Sequence, residues 1–169
     1  LNAGRNIDLS ASGGVLILSA TAAQLLIVNA IAGTAEGGSV NGGSVNVNGN
    51  AGINFSTVSS GGTTNLTAAN GAILLSALSS VGEVTTMGQS INITGGGALT
   101  FTDATATAGD LSLTAGALNV TDAFASAAIS LTSTGNLAAG TLDAGVDLFI
   151  ASQSGSVALT QSVTGNVID

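Results

Sequence analysis

The stretch that decides the fold runs from Ile91 to Leu131 and consists of short triplets in which one polar residue stands between two apolar residues. The triplets are Ile91-Asn92-Ile93, Leu99-Thr100-Phe101, Leu111-Ser112-Leu113, Leu118-Asn119-Val120 and Ile129-Ser130-Leu131. Strict alternation of this kind is typical of a half-buried strand. Leu111 follows Ile91 by 20 residues, and Ile129 follows Leu111 by 18. A period near 20 in a chain of short strands indicates a solenoid.

The same period runs through the whole chain as two interleaved series of predicted strand starts. The first series is Ile7, Leu25, Val45, Thr64, Gly82, Leu99, Leu118, Leu137 and Val157. The second series is Val15, Thr34, Ile53, Ile73, Ile91, Leu111, Ile129 and Val146. The mean step of the first series is 150/8, or about 19 residues. Each repeat therefore contributes two clear strands, whereas a third, shorter side is not resolved by the sequence.

These spacings predict an all-β chain folded as a right-handed parallel β-helix, or β-solenoid, of about nine coils of ~19 residues. Residues 1–169 form a single solenoid segment in this prediction. Each strand would pair in parallel with its equivalent one coil away, at a spacing of ~4.8 Å. Like side chains then stack, so we expect one inner column of Ile73, Ile91, Leu111 and Ile129. The absence of Pro agrees with a chain in which nearly every amide donates to a neighbouring coil.

Two places depart from the pattern. The triplet Thr34-Ala35-Glu36 would point Thr34 and Glu36 inward, and a buried charge there is costly unless the coil bulges or loops out. The triplet that begins at Gly82 has no side chain at its first inward position. We therefore expect irregular coils at both places.

Charge is scarce and one-sided, and this excludes several functions. The chain carries one Lys or Arg residue against nine Asp and Glu, a net charge of −8. No basic patch for nucleic acid or for an anionic membrane can be built from one cation. The most apolar run, residues 22–32, is too short to span a bilayer. With no His, Lys or Cys, the chain has no base beside a nucleophile, and we predict that it is not an enzyme.

Two pairs of acids are the candidates for a metal site. Asp103 and Asp110 lie in one region between strands, and Asp143 is close to Asp147 in the sequence. Either pair could hold a weakly bound Ca²⁺, although no Asp-x-Asp-x-Asp-Gly loop is present. The alternative is that these acids are solvated at coil corners, and the favoured prediction is that the protein has no cofactor.

Asparagine recurs at the outward middle positions of the predicted strands. Four such residues begin an Asn-x-Ser/Thr sequon and are glycosylation candidates: Asn54, Asn65, Asn92 and Asn119. The alternative is that the sequons are a by-product of the repeat pattern, because an Asn in mid-strand that precedes a Ser or Thr corner always produces one.

Exposed aliphatic residues are the candidates for partner contact. Leu16, Leu26 and Leu74 are expected at outward positions, with Leu18 and Val28 adding bulk near the N-terminal end. Such a cluster would be covered by a partner or by a flanking segment. The chain starts at Leu1 and enters the repeat at once, which favours a segment of a longer chain or copies that stack end to end.

Several stretches resemble the repeats of filamentous-haemagglutinin-type adhesins: residues 3–11 (AGRNIDLSA), 108–116 (AGDLSLTAG) and 134–137 (TGNL). The resemblance implies a large bacterial exoprotein, exported by a two-partner or autotransporter route, with a long right-handed β-helix. It also implies an extracellular or cell-surface location, and either a shaft that holds a binding tip away from the cell or a matrix fibre. A host surface or a glycan is then a candidate partner.

The sequence therefore predicts a non-enzymatic structural shaft of an extracellular adhesin or surface filament. Two alternatives remain open at this stage. The first is a filament subunit that stacks end to end or laterally with copies of itself. The second is a carbohydrate-binding or polysaccharide-degrading β-helix, which would need a groove with clustered acids and aromatic residues.

Overall fold

The chain is an all-β parallel solenoid of about nine turns. The structure is a computed structural model, and it describes residues 1–168. Strands occur throughout and no helix is present within that range. The strands are β1 (Asn2–Ala3), β2 (Ile7–Ala11), β3 (Val15–Ala30), β4 (Thr34–Gly49), β5 (Gly52–Ser60), β6 (Thr64–Thr67), β7 (Ile73–Ser80), β8 (Val84–Gly88), β9 (Ile91–Thr94), β10 (Ala98–Ala106), β11 (Leu111–Ala115), β12 (Ala117–Ala125), β13 (Ile129–Ser133), β14 (Leu137–Ser152), β15 (Val157–Leu159) and β16 (Val163–Ile168).

Each coil has three sides, and every ladder between coils is parallel. We name the sides by the first segment of each: side A begins with residues 7–11, side B with residues 15–17 and side C with residues 2–3, which pair with residues 21–22 of the next coil. The long strands β3 and β4 pass through sides B, C and A without a break. The third side that the sequence left unresolved is therefore part of the fold, with a ladder that is interrupted between residues 77–80 and 98–100.

The predicted inner column on side B is confirmed. Ile73 pairs with Ile91, Ile91 with Leu111, and Leu111 with Ile129, and all four side chains are buried. The column extends in both directions, from Val15, Ala35 and Ile53 at one end to Leu148 at the other. Alternation places the polar middle residue of each triplet outside, and the aliphatic pair inside.

The first predicted series combines two different sides. It follows side A as far as Val84 and then continues on side C with Leu99, Leu118, Leu137 and Val157. Both sides recur after about 19 residues, so the spacing alone cannot tell them apart. Some predicted starts are also displaced by one or two residues, because the inward residues are Leu26, Val84 and Leu148 rather than Leu25, Gly82 and Val146.

The irregular coil expected at Thr34 and Glu36 is not found, because the ladders to both neighbouring coils run through residues 35–37 without a register shift. Ala35 is the inward residue, paired with Val15 and Ile53, while Glu36 is exposed. The next residue, Gly37, has a φ of +149°. A Cβ at Gly37 would collide with the backbone of Ile17 in the neighbouring coil. Glycine is required there because of both its conformation and the close approach of the two coils.

Candidate functional site

The four sequon asparagines all project into solvent from mid-strand positions. Asn54 and Asn92 lie on side B, Asn65 on side A and Asn119 on side C, and each is exposed. Within the described part of the chain, none of their side chains takes part in a hydrogen bond between protein groups. The hydroxyl residues that complete the sequons of Asn54, Asn92 and Asn119 are exposed as well. Their glycosylation stays a prediction, now with accessible acceptors on all three sides.

Side B places Leu74 directly between two of these asparagines. Leu74 pairs with Asn54 in one neighbouring coil and with Asn92 in the other. Its side chain is 44% exposed and borders a shallow depression of about 330 Å³ with Asn92 and Thr94. Leu74 is therefore accessible, but polar residues separate it from the N-terminal leucines.

The predicted apolar cluster near the N-terminal end is only partly formed. Leu16 is 70% exposed and Leu18 is 83% exposed, and both are available for partner contact. Leu26 and Val28, however, are fully buried in side A, and their predicted outward placement is wrong. Residues 25–28 are all apolar and show no alternation. The predicted inward positions are therefore displaced by one residue, and this exchanges the inward and outward faces of the strand.

The calcium candidates do not converge. Asp110 lies at the corner before side B, where its Oδ1 accepts a hydrogen bond of 3.0 Å from the backbone amide of Ala128 in the next coil. Asp103 instead pairs in register with Asp122 on side A. Asp147 is the register partner of Asn166, past a ladder irregularity that separates it from Asp143. Among the described residues, no three His, Cys, Asp or Glu side chains gather as potential metal ligands.

Side A nevertheless carries an acidic depression of about 210 Å³ that the sequence did not predict. Its walls include three carboxylates, two hydroxyls and one aromatic ring: Asp103, Asp122, Asp143, Thr105, Thr141 and Phe124. The Thr105 hydroxyl donates a hydrogen bond of 2.7 Å to Asp103 Oδ1, and the Phe124 ring is 41% exposed. The site therefore offers hydrogen-bond acceptors and a stacking surface. The chain's one basic side chain, Arg5, lies in the first coil and does not line this depression.

Serine residues at strand ends hold the coil corners, and sequence reasoning missed them. Ser60 and Ser80 pair at the end of side C, and Ser80 Oγ lies 3.0 Å from Thr64 Oγ1 inside the corner. Ser133 and Ser152 pair at the end of side B, and both hydroxyls donate to the carbonyl oxygen of Gly135, at 2.5 and 2.6 Å. The recurring Ser-x-Gly of residues 60–62, 80–82 and 133–135 is the signal that could have found them.

Asparagine and aspartate residues close other corners by a related device. Asn6, Asp110 and Asn136 each precede the first inward residue of a side. Their side-chain oxygens accept hydrogen bonds from the backbone amides of Leu25, Ala128 and Ser156, one coil further along. The accessible polar residues of the corners are thus largely occupied in structural bonds.

Comparisons with models of protein families, with curated proteins and with solved structures find no match for this chain. The resemblance to haemagglutinin-type repeats therefore stays a prediction. Within the described range no helix is long and apolar enough to cross a membrane.

Proposed function

We propose that this chain is a non-enzymatic structural shaft, a segment of an extracellular bacterial adhesin or surface filament. The observation that supports it best is that the parallel ladders run from coil to coil on sides A and B around a buried interior of mainly aliphatic side chains. Backbone hydrogen bonds directed along the axis resist extension, and each coil contacts only its neighbours. Such a rod can be lengthened by repetition without a change in its cross-section.

The surface agrees with that role. Outward positions carry mainly Asn, Ser and Thr, and the described surface has few charges. Hydroxyl, amide and carboxylate groups at the corners bond to the backbone of adjacent coils, as Ser152, Asn136 and Asp110 do, and so stabilise the stack. Hydrogen bonds between corner side chains and adjacent coils hold a stack of this kind together.

Deletion of one whole coil tests the structural part of the proposal. Removal of residues 111–128 joins Asp110 to Ile129, and Ile129 is the register partner of Leu111. We expect this variant to keep its β-type circular dichroism spectrum and a cooperative unfolding transition. The matched control removes residues 111–119 and puts the following side out of register, so it should lose both. Equal damage in the two variants would contradict a modular shaft.

Antibody labelling of intact cells of the producing bacterium tests the location. Gold particles should decorate the outer surface or shed filaments before any lysis. Labelling that appears only after the cells are opened would reject an extracellular shaft, whatever the outcome of the deletion experiment.

The partners we propose are flanking repeats or other copies of the same solenoid. Val157 and Leu159 continue inward columns of side C but are about half exposed, whereas their partners Leu137 and Ala139 are buried. A further coil would cover them. If copies supply that coil, the isolated chain should form fibres whose length increases with concentration under the electron microscope, and Leu159→Asp should prevent them. Monomers at every concentration would reject self-stacking.

Carbohydrate binding is the second candidate function, and the acidic depression on side A favours it. Carboxylates that accept hydrogen bonds from sugar hydroxyls, beside an aromatic ring, are the groups that such a site needs. A glycan array with the wild-type chain and with Phe124→Ala tests the site, and Met87→Ala, an exposed residue of the same outward row, is the control. Binding that survives Phe124→Ala, or no binding at all, would reject the depression as a glycan site.

A further inference from the structure

The ladder on side C is interrupted in the middle of the solenoid. Residues 77–80 pair with residues 57–60 of the preceding coil, but within the described range they have no ladder partner in the following coil. Residues 98–100 in turn pair only with residues 117–119 of the next coil. The chain crosses this gap at Gly95, where a Cβ would lie 2.8 Å from the carbonyl oxygen of Leu78. Two stacks of side C thus meet without backbone pairing.

The corners change at the same place. Up to Ser80, sides B and C form one continuous strand. This strand runs on into side A in β3 and β4, whereas β5 and β7 end before a loop at residues 61–63 and 81–83. From Ala98 onward, sides C and A form one continuous strand, as in β10 and β12. The loop now separates side B from side C, first at residues 95–97. The solenoid therefore consists of two differently built stacks joined over residues 81–97, which we call the junction.

Two further defects lie in or beside the junction. The ladder shifts register between Phe101 and Asp103 where β10 meets β8, as it also does between Ala22 and Leu25 and between Asp143 and Asp147. The hydroxyl of Thr86, in β8, is buried and has no hydrogen-bond partner among the described residues. A buried hydroxyl without a partner costs about 1–3 kcal/mol. The interface between these two coils is therefore weakened on side A as well as on side C.

The stability of a solenoid is approximately a sum of nearest-neighbour interfaces, so the weakest interface opens first. We propose that the protein is two cooperative stacks coupled weakly at the junction, and that the junction is the point at which the rod bends or opens under heat or tension. The inference rests on the fold alone. For a shaft, it would place compliance at one defined position and leave the two stacks rigid.

Hydrogen exchange followed by mass spectrometry tests the proposal on the full chain. The informative amides are those of residues 84–87 and 91–93, which belong to ladders with both neighbouring coils. Static lack of pairing would speed exchange only in residues 77–80 and 98–100. Opening of the junction would also speed exchange in residues 84–87 and 91–93, by at least about tenfold relative to residues 111–115 of the C-terminal stack.

Two matched cavity variants test whether the stacks are uncoupled. Ile53→Ala lies in the N-terminal stack and Leu131→Ala in the C-terminal stack, and both parent side chains are fully buried on side B. Each variant should raise exchange rates at least about tenfold in its own stack and by less than about threefold in the other. Uniform protection of the junction, or a response of both stacks to either variant, would overturn the proposal. Neither result would affect the surface-labelling test of the shaft.

Discussion

Sides A and B of the same coils are built from different residues. The side B column from Ile53 to Leu148 is aliphatic and large in every coil. The corresponding central column of side A changes from Leu66 to Thr86, Ala104 and Ala123 before it returns to Leu142. Both columns are buried. The comparison teaches that parallel pairing fixes the path of the chain, while the residues inside can vary widely and locally weaken the stack.

The largest expected effect comes from an interruption of the uniform column. Ile91→Ala removes a fully buried side chain between Ile73 and Leu111. The lost contacts and the remaining cavity should lower the free energy of unfolding by about 2–5 kcal/mol, measured by urea denaturation. Asn92→Ala, on the neighbouring exposed position, should change it by less than about 0.5 kcal/mol. Similar losses for the two variants would mean that Ile91 is not part of a packed column.

The same contrast explains what could be predicted from the sequence. Side B was predicted well because its triplets alternate strictly, which fixes both the period and the inward face. Side A was predicted less well because the apolar run at Leu25 to Val28 has no alternation, and because Thr86 is buried at a position where an apolar residue is expected. Period alone could not separate side A from side C, so one predicted series crossed between them.

Candidate site residues were likewise predicted well where they lie in alternating triplets and poorly elsewhere. The sequon asparagines were placed outside correctly because they occupy the middle of alternating triplets. The acidic depression was not predicted, because Asp103 and Asp122 are 19 residues apart and meet only through the register of β10 and β12. Asp110 was grouped with Asp103 by sequence distance, whereas the corner directs its carboxylate to the amide of Ala128.

A medium effect is expected at the corner that leads from side A to side B. Asp110→Ala removes the acceptor for the Ala128 amide and should cost about 1 kcal/mol in urea denaturation. Asp110→Asn retains a side-chain oxygen and should lose clearly less. A calcium titration sharpens the result: a rise in the melting temperature of the wild-type chain that Asp110→Ala abolishes would favour a metal ligand over a structural cap.

Removal of the buried hydroxyl should change the free energy of unfolding with opposite signs at Thr86 and at Thr64, both on side A. Thr86→Val removes a hydroxyl that has no partner in the described structure, and it should raise the free energy of unfolding by about 1 kcal/mol. Thr64→Val removes the hydroxyl that bonds Ser80 at 3.0 Å, and it should lower the free energy of unfolding by about the same amount. The two substitutions are chemically identical and both sites are fully buried on side A. Equal signs in urea denaturation would contradict the assigned hydrogen bonds.

The smallest effect concerns the outward face of side A, where Asp103 and Asp122 are register partners in adjacent coils. Like charges at directly opposed positions repel, so Asp122→Asn should stabilise the chain by about a few tenths of a kcal/mol at low salt. Because both carboxylates are exposed, about 1 M NaCl should screen the repulsion and remove most of the gain. Asp8→Asn is the control, since Asp8 is paired with the uncharged Ile27. If Asp122→Asn raised the free energy of unfolding by the same amount at low and at high salt, the gain would not come from repulsion between the two charges.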